Sequence, residues 1–154
     1  MDYVVVKWAH IVSSTLLFGT GLGSAYFMFF ASLTREPRVI AVTVRHVVIA
    51  DWLFTTPTII LQPLTGLYLL HRLGLPLSTP WVEWSIALYL LAGAAWLPVV
   101  YMQIRMRDMA RGAAEAQTAL PPKYWRFLQF WTLLGIVAFV SLLIVYFLMV
   151  AKPQ

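Results

Sequence analysis

The chain has 154 residues, of which 61% are hydrophobic and 11% charged, whereas soluble domains average about 25% charged residues. This apolar excess marks an integral membrane protein, and the absence of cysteine excludes disulfides, thiolate metal sites and cysteine nucleophiles. The formal charge of +5 sits in the gaps between apolar runs, which speaks for membrane topology and against nucleic acid as a partner.

The first apolar segment covers residues about 4–33, more than the roughly 20 that a bilayer span needs. The opening MDYVVVKWAH has no basic leader before its apolar run, and no small-residue cleavage site follows. A retained first span is therefore expected, not a cleaved signal peptide. At helical spacing His10, Ser14, Leu17, Gly21 and Ser24 share one face. Gly19 and Gly23 form a small-xxx-small pair, which predicts the close approach of another helix. No strand precedes these glycines, so a dinucleotide-binding reading fails. The short stretch Thr34 to Arg38 predicts an antiparallel neighbour. An interfacial turn carrying Arg38, Arg45 and His46 is expected to follow it.

The second span, about 47–70, holds a carboxylate where apolar residues are the rule. At 100° per residue, Asp51, Thr55, Thr58, Gln62 and Thr65 fall within an arc of about 80°. An Asp at a bilayer centre costs roughly 2.5–3.5 kcal/mol, so this stripe should face protein or water, with the other helices packed against it. Pro57 and Pro63 each remove a backbone donor, and a neighbour's polar group is expected to satisfy the freed carbonyls.

Gly74, Pro76 and Pro80 mark a compact loop. The third span, about 81–104, opens on Trp81 and Trp84 as interfacial anchors and aligns Tyr89, Gly93, Trp96, Val100 and Gln103 on one face. Residues about 105–117 read as a polar, Ala-rich helical extension that Pro121-Pro122 stops. The fourth span, about 124–150, aligns Leu128, Thr132, Gly135, Phe139 and Leu142.

Lys7, Arg72 and Lys152 fall on one side; Arg35, Arg38, Arg45, Arg105, Arg107, Arg111, Lys123 and Arg126 fall on the other, three against eight. The positive-inside rule puts the eight, with the helical extension, in the cytoplasm and both termini outside.

Two places invite chemistry. His10 and His71 lie at similar depth on different helices, and two imidazoles in a four-helix bundle suit a haem iron or another metal. Structural roles compete with that reading: a hydrogen bond across the bundle for His10 and an interfacial cap for His71. His71 also lies about 200° from the polar stripe, which leaves His10 the better ligand. Asp51 sits near the depth of Gln103, Arg105 and Arg126. An ion pair with Arg105 or Arg126 is the first expectation, and a proton or cation path along Asp51, Thr58 and Gln62 the alternative. Met102, Met106 and Met109 have a spacing that suits Cu(I) and equally suits packing. Trp96 and Trp131 lie deep enough to border a flat cofactor or to fill a core. There is no Ser-His-Asp order, HExxH or phosphate loop.

The stretches KWAHIVSSTLLFGTGLGS (Lys7 to Ser24), ADWLFTTPTIILQPLTG (Ala50 to Gly66), WLPVVYMQIRMRDMA (Trp96 to Ala110) and MVAKP (Met149 to Pro153) together resemble an uncharacterised bacterial four-span inner-membrane family, a domain of unknown function. The likeness covers nearly the whole chain and implies a fold but no activity. The opening Lys7-Trp-Ala-His10-Ile, followed by small residues, is also similar to the first span of HemJ-type membrane protoporphyrinogen oxidases and of CopD-like copper-resistance proteins. The HemJ-type likeness implies haem b at His10. The chain departs from that pattern in the third span, where Trp81 to Ile104 contains no Lys, Arg or His.

The expected structure is an all-α integral membrane four-helix bundle, one transmembrane domain over residues 1–154, in the bacterial inner membrane with both termini periplasmic. Two classes of function stay open. One is a haem-b-binding redox protein with His10, and His71 beside it, as ligands. The other is a non-enzymatic small transporter or an accessory subunit of a membrane complex. The partners expected are the lipid bilayer and either a second copy of the chain or a membrane-complex subunit, associating through small lipid-facing residues.

Overall fold

Three of the helices begin with proline at the first helical position, where a missing amide proton costs nothing and φ is already set. The computed structural model describes residues 2–153 and consists of α1 (Asp2–Leu33), α2 (Pro37–Ala50) continued through a π-helical turn (Asp51–Thr55) into α3 (Thr56–Leu73), α4 (Pro80–Ala116) and α5 (Pro122–Ala151). No strand occurs among the described residues. Gly74 closes α3 in the left-handed region, at φ 65°, where a Cβ would be strained. The four membrane-length helices have 32, 37, 37 and 30 residues, counting α2 to α3 as one. At 1.5 Å per residue the longest reach about 55 Å, beyond the roughly 30 Å of hydrocarbon, so their basic ends stand outside it.

The second helix starts ten residues before the expected span. Pro37 initiates it directly after Glu36, so Arg38, Arg45 and His46 ride on a regular helix instead of an interfacial turn. Ile40, Val44, Val47 and Val48 recur at helical spacing and are buried, which anchors this stretch on its neighbours.

The π turn has a local cause. Pro57 has no amide proton, and its ring would crowd the carbonyl of Leu53 in a regular helix. Widening the preceding turn relieves that crowding, and the Thr56 amide reaches back five residues to the Asp51 carbonyl. Across this turn the helix changes neighbours: α2 packs on α4 and α1, whereas α3 packs on α1. No Cα of α3 comes within 8 Å of one in α4 or α5.

The bundle is therefore packed at one end and hollow at the other. At the basic end, which carries the turns before Pro37 and before Pro122, Met28, Ile40, Val44, Met106 and Tyr124 form a closed core with zero exposure. Met102, Met106 and Met109 belong to this core or pack on it, so the methionine spacing reports packing. Ser32 donates to the Met28 carbonyl at 2.8 Å, so the Tyr124 hydroxyl is the donor in its 2.7 Å bond to Ser32, joining α1 to α5. Towards the opposite end α4 stays against α5, α3 stays against α1, and the two pairs part. Outward-facing Leu90, Leu97, Phe130, Leu133 and Phe147 are all exposed, the surface a lipid-embedded bundle presents.

Candidate functional site

The space between the two helix pairs is a cavity of about 470 Å³. Its walls are the faces that helical spacing picks out in the sequence: Leu17, Gly21 and Ser24 on α1, Tyr89, Gly93, Trp96 and Gln103 on α4, and Thr132, Gly135, Phe139 and Leu142 on α5. These faces were expected to close on the polar stripe; instead they surround an open volume. The reason is partly glycine. A Cβ built on Gly21, Gly93 or Gly135 would meet nothing within 4 Å, so these residues let no helix approach and simply leave room. The same is true of Gly19 and Gly23, whose spacing predicts a close helix contact that this chain does not supply.

The cavity has a window. Phe18 stacks on Phe139 at 4.8 Å between centroids towards one end, and Ser32 bonds Tyr124 at the other. Between these ties α1 and α5 stand apart. Leu22, Tyr26 and Phe30 of α1 and Ile136 of α5 line the cavity while being exposed, so it opens sideways, where lipid tails lie.

Asp51 lies deep in this cavity, on the π turn. It is 6% exposed, and the Thr55 hydroxyl donates to its Oδ1 at 2.8 Å. Gln103 of α4 lines the same cavity. The expected ion pair is not formed: among the described residues the ion pairs are Arg107–Asp108 and Arg111–Glu115. Arg105 is exposed, as is Arg126. Arg105 therefore does not belong to the buried polar seam; it stands two residues, or about 200°, round α4 from Gln103. A smaller hollow of about 230 Å³ lies against Val48, Trp52, Thr56 and Leu97, and Asp51, Trp96 and Gln103 line both it and the main cavity. These three residues border both volumes.

The rest of the stripe is occupied otherwise. Thr58 donates to the carbonyls of Phe54 and Thr55 in its own helix. Gln62 donates from Nε2 to the His10 carbonyl at 2.9 Å and to Ser13 Oγ. Thr65 donates to the Leu61 carbonyl at 2.6 Å, so its contact with His10 Nδ1 at 2.7 Å is donated by the imidazole. Gln62 and Thr65 thus bind α3 to α1, and only Asp51 and Thr55 of the stripe face the cavity. Asp51, Thr58 and Gln62 make no hydrogen bond to one another among the described residues.

His10 is half-buried between α1 and α3, its Cε1 only 3.4 Å from where a Cβ on Gly66 would stand. His71 is exposed at the end of α3, and no histidine lines the cavity. The structure does not bring His10 and His71 into one site.

Two details lay beyond the sequence: which neighbour satisfies a carbonyl freed by proline, and an unpaired indole. Tyr89 Oη donates to the Ile59 carbonyl at 2.6 Å, the one Pro63 frees by lacking an amide proton, which is the kind of partner expected there. The signal was present, a tyrosine on a cavity-facing stripe and a proline four residues after Ile59, but pairing them needs the fold. The other is Trp131, 5% exposed and part of the cavity wall, whose Nε1 donor has no acceptor among the described residues.

Over residues 4–153 the chain matches the family described as "Predicted integral membrane protein (DUF2269)". The chain belongs to the DUF2269 family. The match takes in all four membrane-length helices, and with them both the packed and the hollow end of the bundle. No curated protein and no solved structure matches this DUF2269 chain.

Proposed function

We propose that this chain is a non-enzymatic membrane carrier that takes a lipophilic molecule from the bilayer into the cavity between its helix pairs. One observation carries the reading: a carboxylate without a cation partner stands in an apolar cavity that opens towards lipid. Such a volume lies within the roughly 300–1,000 Å³ of ordinary ligand sites, and a few polar groups in an apolar wall are how such sites orient a ligand. Trp131 adds an unused donor that a ligand oxygen would satisfy. That Asp51, Trp96 and Gln103 adjoin two volumes supports a carrier over a mere receptor. In this reading the basic end is cytoplasmic, the termini are periplasmic and the membrane is the bacterial inner membrane.

The test is photolabelling with a neutral apolar diazirine in nanodiscs, with adducts mapped by mass spectrometry. Labelling concentrated on the peptides around Gly21, Gly93 and Gly135, and lost when Gly135→Leu fills the cavity, is expected. Adducts spread evenly over the lipid-facing surface in both proteins would overturn the reading.

A second reading concerns haem b. His10 donates from Nδ1 to Thr65, which leaves the Nε2 lone pair free, and a haem-ligating imidazole has its other nitrogen hydrogen-bonded in this way. His10 would hold the iron through Nε2, whereas His71 is exposed and the cavity wall offers no imidazole. Haem, when bound, would supply one-electron transfer; this chain's part would be to orient His10 through Thr65. Absorption spectra of oxidised and dithionite-reduced protein test it. A Soret band with sharp reduced bands, lost in His10→Ala, is expected on this reading, and colourless protein from haem-replete cells would sink it.

A further inference from the structure

The charge balance of the cavity narrows the ligand class. Every titratable side chain on the wall other than Asp51 is a tyrosine: Tyr26 and Tyr89. No Lys, Arg or His faces the carboxylate from α1, α4 or α5. The remaining polar groups are hydroxyls, an amide and two indoles. A buried carboxylate in lipid is retained at a cost unless something pairs with it, and intramembrane acids ordinarily pair with protein cations. This one does not.

The walls offer what an organic cation needs. Phe18, Phe139, Trp96 and Trp131 bring aromatic side chains to the cavity, and Trp96 also lines the smaller hollow with Asp51. Aromatic faces attract cations through the ring quadrupole, most strongly where water is excluded. Glycines on three helices leave space for a bulky body instead of a chain. The window between α1 and α5 admits a molecule already dissolved in the membrane. We propose that the cavity binds a lipophilic organic cation, its charged centre against Asp51 and its apolar body among the aromatic side chains. This rests on the carrier reading and specifies its ligand. Thr55, by donating to Oδ1, holds the carboxylate in place for that ion pair.

Tetraphenylphosphonium and tetraphenylborate test it, since they share a shape and differ in sign. Binding to purified protein in nanodiscs is read by equilibrium dialysis of the radiolabelled ions, against empty nanodiscs to subtract partitioning. Tetraphenylphosphonium should bind the native chain and Asp51→Glu, and bind Asp51→Asn about tenfold or more weakly, an ion pair's contribution. Tetraphenylborate should not bind specifically. Asp51→Asn keeps the side-chain shape and a Thr55 acceptor, and a matched thermal transition establishes that it folds. Equal affinity of the native chain and Asp51→Asn for the cation, or equal binding of the two ions, would overturn the proposal. The diazirine result separates the two levels. Cavity labelling without cation binding leaves the carrier reading standing and removes the ligand class; loss of both removes both.

Discussion

Pro63 has no amide proton for the Ile59 carbonyl one turn earlier, and the Tyr89 hydroxyl from α4 takes its place. This bond is a tie between two helices whose backbones otherwise stay apart. Tyr89→Phe should therefore destabilise the native chain by about 1 kcal/mol, and by clearly less in a Pro63→Ala background, where the backbone supplies its own donor. A double-mutant cycle of unfolding in mixed micelles measures the coupling; an additive cycle would show that Tyr89 serves some other partner. At His10 the proton position is likewise decided by a neighbour, because Thr65 gives its own hydrogen to Leu61. Nitrogen-15 NMR of labelled histidine should show Nδ1 protonated and Nε2 bare, and Thr65→Val should erase that preference. The residues in both ties were visible in the sequence as polar groups on apolar helices. Which partner each would find was not, because a donor's partner lies on another helix and depends on how the helices are brought together.

Among the helices, the glycines differ in what lies beside them. Gly66 stands next to the His10 ring, whereas Gly21, Gly93 and Gly135 face open space. A glycine inside a helix costs about 0.5–1 kcal/mol relative to alanine, so Ala at any of these three should stabilise the helix by about that much. The same substitutions should weaken whatever occupies the cavity, so unfolding free energy and ligand affinity should move in opposite directions. Gly66→Ala should stabilise its helix by a similar amount without touching the cavity, since a methyl there would stand at ordinary van der Waals distance, 3.4 Å, from His10 Cε1. Spacing alone could not tell these cases apart. A small-xxx-small pattern reads as a helix contact wherever it occurs, and only the positions of the other helices show whether the contact is made. The π turn is a similar case: Pro57 announces a disturbance, but the widened turn that carries Asp51 depends on how the chain relieves it.

Over the whole molecule the packing is uneven. Met106 and Met28 have zero exposure in the core at the basic end, while the other half encloses the cavity. Large-to-small changes in soluble cores cost about 2–5 kcal/mol, and in lipid the transfer part largely falls away, so Met106→Ala should cost about 2 kcal/mol. Leu22→Ala, at the window, should cost much less, and unfolding of the two variants side by side checks the contrast. The proposed orientation is tested as simply, because the chain has no cysteine of its own. A cysteine at Gln117 should react with a membrane-impermeant maleimide only from the cytoplasmic side, and one at Ser78 only from the outside.

The sequence by itself determined the class of protein and the faces of its helices. Length, hydropathy and the polar stripe each follow from what lipid tolerates: satisfied backbone groups, few charges, and those turned inward. The cavity-facing sets on α1, α4 and α5 were legible for the same reason, since helical spacing is local. The tertiary structure decided what those faces meet. It turned three of them towards an open volume, left Asp51 without the arginine that depth alone suggested, and tied His10 to Thr65 instead of to His71. Depth along a span can be counted from sequence. Rotation about the helix axis after a π turn, and the separation of two helix pairs, are settled by packing among residues far apart in the chain, and they decide which side chains share a site.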